Sequence, residues 1–391
     1  MWSFADGYAP MQIPSGAIVH RCNRPTVQVF VCMMLLSALH TALPFVVRES
    51  GSPQVLYLLM VPLGITQALL NPSLHKLIAS WSPVNERTRV HNSIYAGQSA
   101  GKMVSSFTSS FIVTSVLGWH WVFWSNAILC GVFGLLWIAN VSDSPAADPR
   151  ISGAERDHIR LSVYADAGAP SAEEHPSFFS LPWREILASV PFWAIVVNHF
   201  AYDWGSQTAA SWVPQWLNQA LGFDLKEAGL RAMLPQLASF IVVVLSGPLA
   251  LRVLERRIVS VTTLRKAFQA MGLLIPGTLL LLLCWLDSIT RDAALGLVVA
   301  SVACGGLTYS GHHVNHIDLS PTYASVLYGA TNTVANVASI ISPIINGWLL
   351  GSSDQPDAAN WRKVFILSAA VQCVGGVVWL VAASGRKQPW G

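Results

Sequence analysis

Apolar residues in this chain come in long blocks. About eleven blocks approach the roughly 20 residues that a helix needs to cross a bilayer. They run near 2–20, 26–47, 54–78, 91–116, 119–140, 189–219, 227–251, 266–286, 293–313, 324–350 and 362–384. One long polar stretch, Val141 to Ala188, interrupts them with acids such as Asp143, Asp148 and Glu155 beside Arg150, Arg156, Arg160 and Arg184. The pattern predicts an all-α polytopic membrane protein in three parts. These are an N-terminal bundle over 1–140, a linker loop over 141–188, and a C-terminal bundle with a short tail over 189–391. Inside the linker, Ser152 and Glu155 have the spacing of a capping box and predict a short helix, lying on the membrane surface or within a soluble linker.

Composition narrows the reading. Of 391 residues, 53% are hydrophobic and only 11% charged, against roughly 25% charged in soluble domains. So few charges cannot coat a soluble particle of this size, so lipid is the solvent for most of the surface. A net charge of +3, spread through the loops, gives no nucleic-acid signal. The cysteines are scattered without paired spacing and read as buried thiols. No nucleophile–base pairing, phosphate loop or metal spacing is visible, so we expect neither an enzyme nor a cofactor.

Charge also orients the chain. One alternating set of loops carries Arg21 and Arg24, then Lys76, Arg87 and Arg89, the linker arginines, Arg252, Arg256, Arg257, Arg265 and Lys266, and Arg386 and Lys387. The other set holds only Arg48, Lys226, Arg231, Arg291, Arg362 and Lys363. The positive-inside rule puts the richer set, with the linker and the C-terminus, in the cytoplasm.

The two halves repeat. Gly16-Ala-Ile-Val-His-Arg21 closes one span as Gly247-Pro-Leu-Ala-Leu-Arg252 closes another. Trp81-Ser-Pro leads to Tyr95-Ala-Gly97 as Leu319-Ser-Pro leads to Tyr328-Gly-Ala330. Repeated halves about a polar linker are a transporter signature, with the substrate held near mid-membrane. The first block matches the second block of the later half, so we expect one helix to be absent from the front.

These residues resemble the organic-anion and phosphate symporter branch of the major facilitator superfamily, which holds sialin and the vesicular glutamate transporters. The strongest pieces are Asn315-His-Ile-Asp-Leu-Ser-Pro-Thr-Tyr-Ala-Ser325, Thr262-Thr-Leu-Arg-Lys266, the Trp81–Arg89 loop and the tail Ala383 to Trp390. The resemblance implies alternating access by two helical bundles, a small anionic solute, and a proton or sodium ion as coupling ion. It departs where glutamate-transporting members carry charge. An arginine and a glutamate of their fourth helix fall on Met60 and Gln67 here, and an arginine of their seventh helix falls on Tyr202. An acid of the loop after the second helix falls on His20.

Candidate site residues follow from intramembrane polarity. A charge deep in a span is costly and by default marks a substrate path or a buried pair. Lys102, in Gly97-Gln-Ser-Ala-Gly-Lys102, is the sharpest signal, with interfacial snorkelling as its alternative. His199, Tyr202 and Asp203 share one span and, with Gln67 and Asn332, complete the expected substrate set. Gly16, Arg21, Glu86, Arg87, Arg89, Asn315, His316 and Asp318 form the expected conformational joint. His312, His313, His316 and Asp318 invite a metal reading, but they end a span, and we assign no metal there. The reading is a secondary transporter of a small organic anion or phosphate. A truncated or non-transporting membrane protein that kept the fold is the alternative.

Overall fold

The computed structural model describes residues 2–50, 53–83, 85–113, 115–164, 181–224, 227–228, 231–286, 289–351 and 357–390. It is helical throughout these residues, apart from turns. Before the linker come α1 (Trp2–Cys22), α2 (Pro25–Ser50), α3 (Pro53–Gln67), α4 (Leu70–Trp81), α5 (Arg87–Val113) and α6 (His120–Asn140). The linker holds α7 (Gly153–Tyr164) and α8 (Trp183–Ala188). After it come α9 (Val190–Gln219), α10 (Met233–Glu255), α11 (Val261–Trp285) and α12 (Arg291–Gly305). A 3₁₀ segment (Gly306–Ser310), α13 (His312–Leu319), α14 (Ala324–Leu350) and α15 (Ala358–Ala382) complete the chain.

The helices correspond to the expected blocks once two of them are read as broken. The block near 54–78 is α3 and α4, interrupted at Ala68 and Leu69. The block near 293–313 is α12, the 3₁₀ segment and α13, extending to Leu319. Among the described residues, seven helical segments are long and apolar enough to span a membrane. The remaining units, α1, α3 with α4, α5 and α9, fall short because they are broken or carry polar residues such as Asn92, Asn198 and His199, which are buried against neighbouring helices.

Helix starts are set by local chemistry. Ser260, Thr290 and Asp357 accept hydrogen bonds from the third residue on, at 3.1, 3.3 and 2.7 Å, and cap α11, α12 and α15. The linker supplies another cap. Asp143 Oδ1 accepts from Thr26 N at 2.8 Å, so a residue far along the chain satisfies an orphan amide of α2. Ser152 Oγ accepts from Glu155 N at 3.2 Å and opens α7 as its spacing foretold. That helix packs against α4 and buries Ile159, while Leu161 stays exposed. Arg150 grips Asp148 through Nε at 3.0 Å, Nη2 at 2.9 Å and its backbone amide at 2.8 Å. Those bonds hold the Asp148 carboxyl well below the usual carboxylate range. Residues 165–180 of the linker lie outside the described residues.

Two seams join the helices before the linker to those after it. In one, α1 crosses α14; in the other, α5 crosses α10. Glycine sets both crossings. A Cβ on Gly16 would sit 2.7 Å from the Ser325 carbonyl oxygen, and one on Gly247 would sit 3.2 Å from both Arg89 Cα and Asn92 Cβ. Small residues let helix backbones approach this closely in membranes.

Candidate functional site

Helix α5 carries Arg87, His91, Tyr95 and Ser99 at a spacing of four residues, which stacks them along one face about 6 Å apart. They fall into three layers of contacts, with His91 and Tyr95 sharing the second, beginning at the end of the molecule that carries the linker.

The first layer is ionic. Asp318 at the end of α13 receives Arg265 Nε at 2.6 Å and Arg87 Nη1 at 3.4 Å. All three side chains are almost fully buried. Arg265 Nη1 also donates to Thr88 Oγ1 at 2.7 Å and to the Ser310 carbonyl at 3.1 Å. Asn315 Nδ2 donates to Asp318 Oδ2 at 3.4 Å and to the Ser384 carbonyl at 3.0 Å. A buried carboxylate between two guanidiniums ties α5, α11 and α13 together; losing it would leave two buried cations. Of the expected joint residues, Arg87, Asn315 and Asp318 meet here and His316 lies one turn away. Glu86 is half-buried, and Arg21 and Arg89 are exposed.

The second layer is a mat of rings. His75, His91, Tyr95, His199, Tyr202, Tyr309, His312, His313, His316 and Tyr328 form a connected set. Tyr309 and His313 stack at 4.5 Å, and His312 and His313 lie 4.2 Å apart. The mat crosses the seam, because His75 Nε2 meets the His313 carbonyl at 3.2 Å. Beside it, Asn92 faces the hydroxyls of Ser246 and Ser310 at 2.8 and 2.7 Å. With its amide oxygen toward those hydroxyls, its nitrogen reaches the carbonyls of Thr88 and Tyr309, each at 3.2 Å.

The third layer is a cavity of about 70 Å³. Tyr202, Ser206 and Thr208 of α9, Gln236 and Ser239 of α10, Ser301 of α12, Ser368 and Gln372 of α15, Tyr309, and Ser99 of α5 line it with hydroxyls and amides. Apolar Val213, Leu280, Val298 and Phe365 complete the wall. Lys, Arg, Asp and Glu are missing from this lining among the described residues.

The expected substrate residues therefore separate. Tyr202 lines the cavity and donates to Tyr309 Oη at 3.4 Å. Asp203 is half-buried one residue on and is not part of the lining. His199 belongs to the ring layer, with Nδ1 3.2 Å from Thr331 Oγ1. Asn332 Nδ2 donates to Tyr8 Oη at 3.4 Å, a separate tie between α14 and α1. Gln67 is half-buried at the break between α3 and α4. Lys102 lies on α5, and its side chain is outside the described residues. Sequence reasoning missed Arg265, His75, His91, Asn92 and Gln372 as site residues. A signal for Arg265 was available, since an arginine just inside a span calls for a buried partner.

The Major Facilitator Superfamily model matches residues 1–343. The chain belongs to the major facilitator superfamily. It is 32% identical over 396 residues to vesicular glutamate transporter 3 of Danio rerio, across 99% of this chain and 64% of that protein. It is 30% identical over 390 residues to sialin of Homo sapiens, across 99% of this chain and 75% of that protein. The chain thus spans a little under two thirds (64%) of the length of that glutamate transporter. Among solved structures, the proton:xylose symporter XylE bound to 6-bromo-6-deoxy-D-glucose shares the fold, with a TM-score of 0.71 at 15% identity. The match covers 98% of this chain and 87% of that one. The glutamate transporter and sialin lie in the branch that the Asn315–Ser325 segment resembles. The protein is an integral, multi-pass membrane protein of a transporter family, in keeping with the expectation that it is not an enzyme.

Proposed function

We propose that the chain is a secondary active transporter that moves a small organic anion or inorganic phosphate by alternating access, driven by a proton or sodium gradient. The observation that carries this is the layered column: a polar, uncharged cavity sealed from the linker end by rings and then by a buried ion pair. Hydroxyl and amide donors without a competing carboxylate suit an anion, and Lys102 on α5 adds the attracting charge. The names of the relatives, glutamate transporters and sialin, support the same solute class. The helices before and after the linker act as two bodies that rock about the seams, with Asp318 releasing Arg87 when the linker side opens. The linker and C-terminus face the cytoplasm by the positive-inside rule.

Uptake by purified protein in liposomes is the direct test, with labelled glutamate, sialic acid and phosphate under imposed pH or sodium gradients. One of these solutes should accumulate above protein-free liposomes and collapse when the gradient is removed. Lys102→Ala and Gln372→Leu should each lower that uptake at least tenfold at equal protein incorporation. Uptake equal to the empty-liposome control for every solute and gradient would leave the non-transporting reading standing.

A further inference from the structure

Three histidines of the ring layer have an unusual hydrogen-bond inventory. His199 on α9 and His312 and His313 on α13 are buried, and a ligand nitrogen from each lies within 4.8 Å of the others. The neighbouring hydrogen bonds decide which ring nitrogens carry protons.

Asn198 Nδ2 donates to the carbonyls of Ala194 and Gly375 at 2.9 and 3.0 Å. Its Oδ1 is therefore the acceptor for Gln269 Nε2 at 3.1 Å. Gln269 is thereby oriented with Oε1 toward His312, where it accepts from the backbone N and from Nδ1, each at 3.1 Å. His312 Nδ1 carries the hydrogen, and Nε2 of the neutral ring is a bare lone pair without a hydrogen-bond partner.

A second chain fixes His199. The His313 carbonyl accepts from His316 Nδ1 at 2.9 Å, so neutral His316 accepts at Nε2. Thr331 Oγ1 lies 2.7 Å from that nitrogen and 3.2 Å from the Tyr328 carbonyl; with its one hydrogen on the shorter contact to His316, it accepts from His199 Nδ1 over 3.2 Å. His199 Nε2 is left as a lone pair too. Neither nitrogen of His313 has a hydrogen-bond partner. Two lone pairs and an uncommitted imidazole thus belong to three buried rings that each bring a ligand nitrogen within 4.8 Å of the others, and neutral acceptors cannot satisfy one another.

We infer that His199, His312 and His313 bind a transition-metal dication of the zinc, cobalt or nickel class. Imidazole nitrogens suit these ions, whereas magnesium and calcium take oxygen ligands. The bonds from Gln269 to His312 and from Thr331 to His199 are the outer partners that fix ligand tautomer and orientation in such sites. Zinc–nitrogen bonds are about 2.0–2.1 Å long, and three nitrogens within 4.8 Å of one another can share one ion. Three protein ligands leave a fourth position open. The set legible in sequence, His312, His313, His316 and Asp318, shares only its first two residues with this site. His316 serves Thr331, and Asp318 serves the arginines. This inference goes beyond transport and does not depend on it.

The test uses the full chain, purified in detergent without a histidine tag and stripped with chelator. Zinc content after equilibration and desalting should reach one ion per chain. Cobalt(II) should give a visible d–d band that zinc bleaches. His199→Gln and His312→Gln should each weaken binding at least tenfold, while His158→Gln, on an exposed linker position, should leave it unchanged. His313→Cys should keep cobalt binding and add a near-ultraviolet sulfur-to-metal charge-transfer band. Wild-type protein that binds well under one zinc per chain, or the same affinity in His199→Gln and His312→Gln, would overturn the assignment. A cobalt spectrum in His313→Cys without the charge-transfer band would remove His313 from it.

Discussion

The two seams occupy equivalent places in the internal repeat, yet they are built differently. Gly16 of α1 meets the backbone of Ser325, and Gly247 of α10 meets Arg89 and Asn92 of α5. Counting back three residues from the tyrosines of the repeat, Tyr95 and Tyr328, Asn92 and Ser325 are the same position. At the α1–α14 seam the helices come so close that backbone touches backbone; Gly329 also packs on the Gln12 carbonyl there. At the α5–α10 seam the approach is looser, and side-chain chemistry fills the gap through Asn92, Arg87 and the Asp318 triad. One seam is held by shape and the other by polarity. A seam of shape, with the 3.4 Å bond from Asn332 to Tyr8 across it, can slide at little polar cost, whereas a seam of buried polar bonds has two settings, made or broken. The α5–α10 side is thus the better place for a latch.

Four measurements would break or sharpen that contrast. The largest effect belongs to Asp318→Ala, which leaves Arg87 and Arg265 buried without their counter-charge. Thermal unfolding in detergent should show a loss of about 3–5 kcal/mol, and an unchanged midpoint would sink the latch. Asn92→Leu comes next. It strands Ser246 and Ser310 and should cost about 1–3 kcal/mol. In disulfide trapping between cysteines placed across the linker-side end, it should shift the population toward the open form. Gly16→Ala should rank third at about 1–3 kcal/mol, because a carbonyl 2.7 Å away cannot yield as a side chain can. Gly247→Ala, facing atoms at 3.2 Å, should cost less than Gly16→Ala in the same assay; the reverse order would refute the shape-against-polarity contrast.

The smallest effect lies in the linker. Asp148 has a folded pKa below its unfolded value because Arg150 donates to it. Its stabilisation is therefore complete at neutral pH and fades as pH falls below about 4, through the folded pKa. Amide protection factors over residues 141–164, taken against the acid-slowed intrinsic exchange rates, should fall on acidification, and Arg150→Ala should remove that pH dependence.

Most of the fold was legible in the sequence, because span and loop differ in hydropathy over windows long enough to average out local noise. The breaks within two spans were not, since a turn of 3₁₀ or a two-residue interruption leaves composition unchanged. The site was legible in part. The sequence could flag His199 as a polar group out of place in lipid, and Arg87 and Asp318 as joint residues at the ends of spans. It could not tell which face of each helix they occupy. Arg265 meets Asp318 across 53 positions and His199 meets Thr331 across 132, contacts that no short-range period encodes. Lys102, the sharpest sequence signal, is the one whose side chain the described residues do not reach.

The 3₁₀ segment Gly306–Ser310 has a geometric consequence for the chain on either side of it. Five residues wound at 3.0 per turn advance about 100° further round the axis, and rise about 2.5 Å more, than five wound as α-helix. The span therefore suffers a slip of phase at mid-membrane. Ser301 and Val298 before the slip look into the cavity, while His312 and His313 after it are swung round onto α9. An insertion of one residue beside Gly311, between the 3₁₀ segment and α13, would turn the histidines about 100° and leave the cavity wall in place. Winding sets the two ends of that span independently, so one helix can serve two neighbours at once.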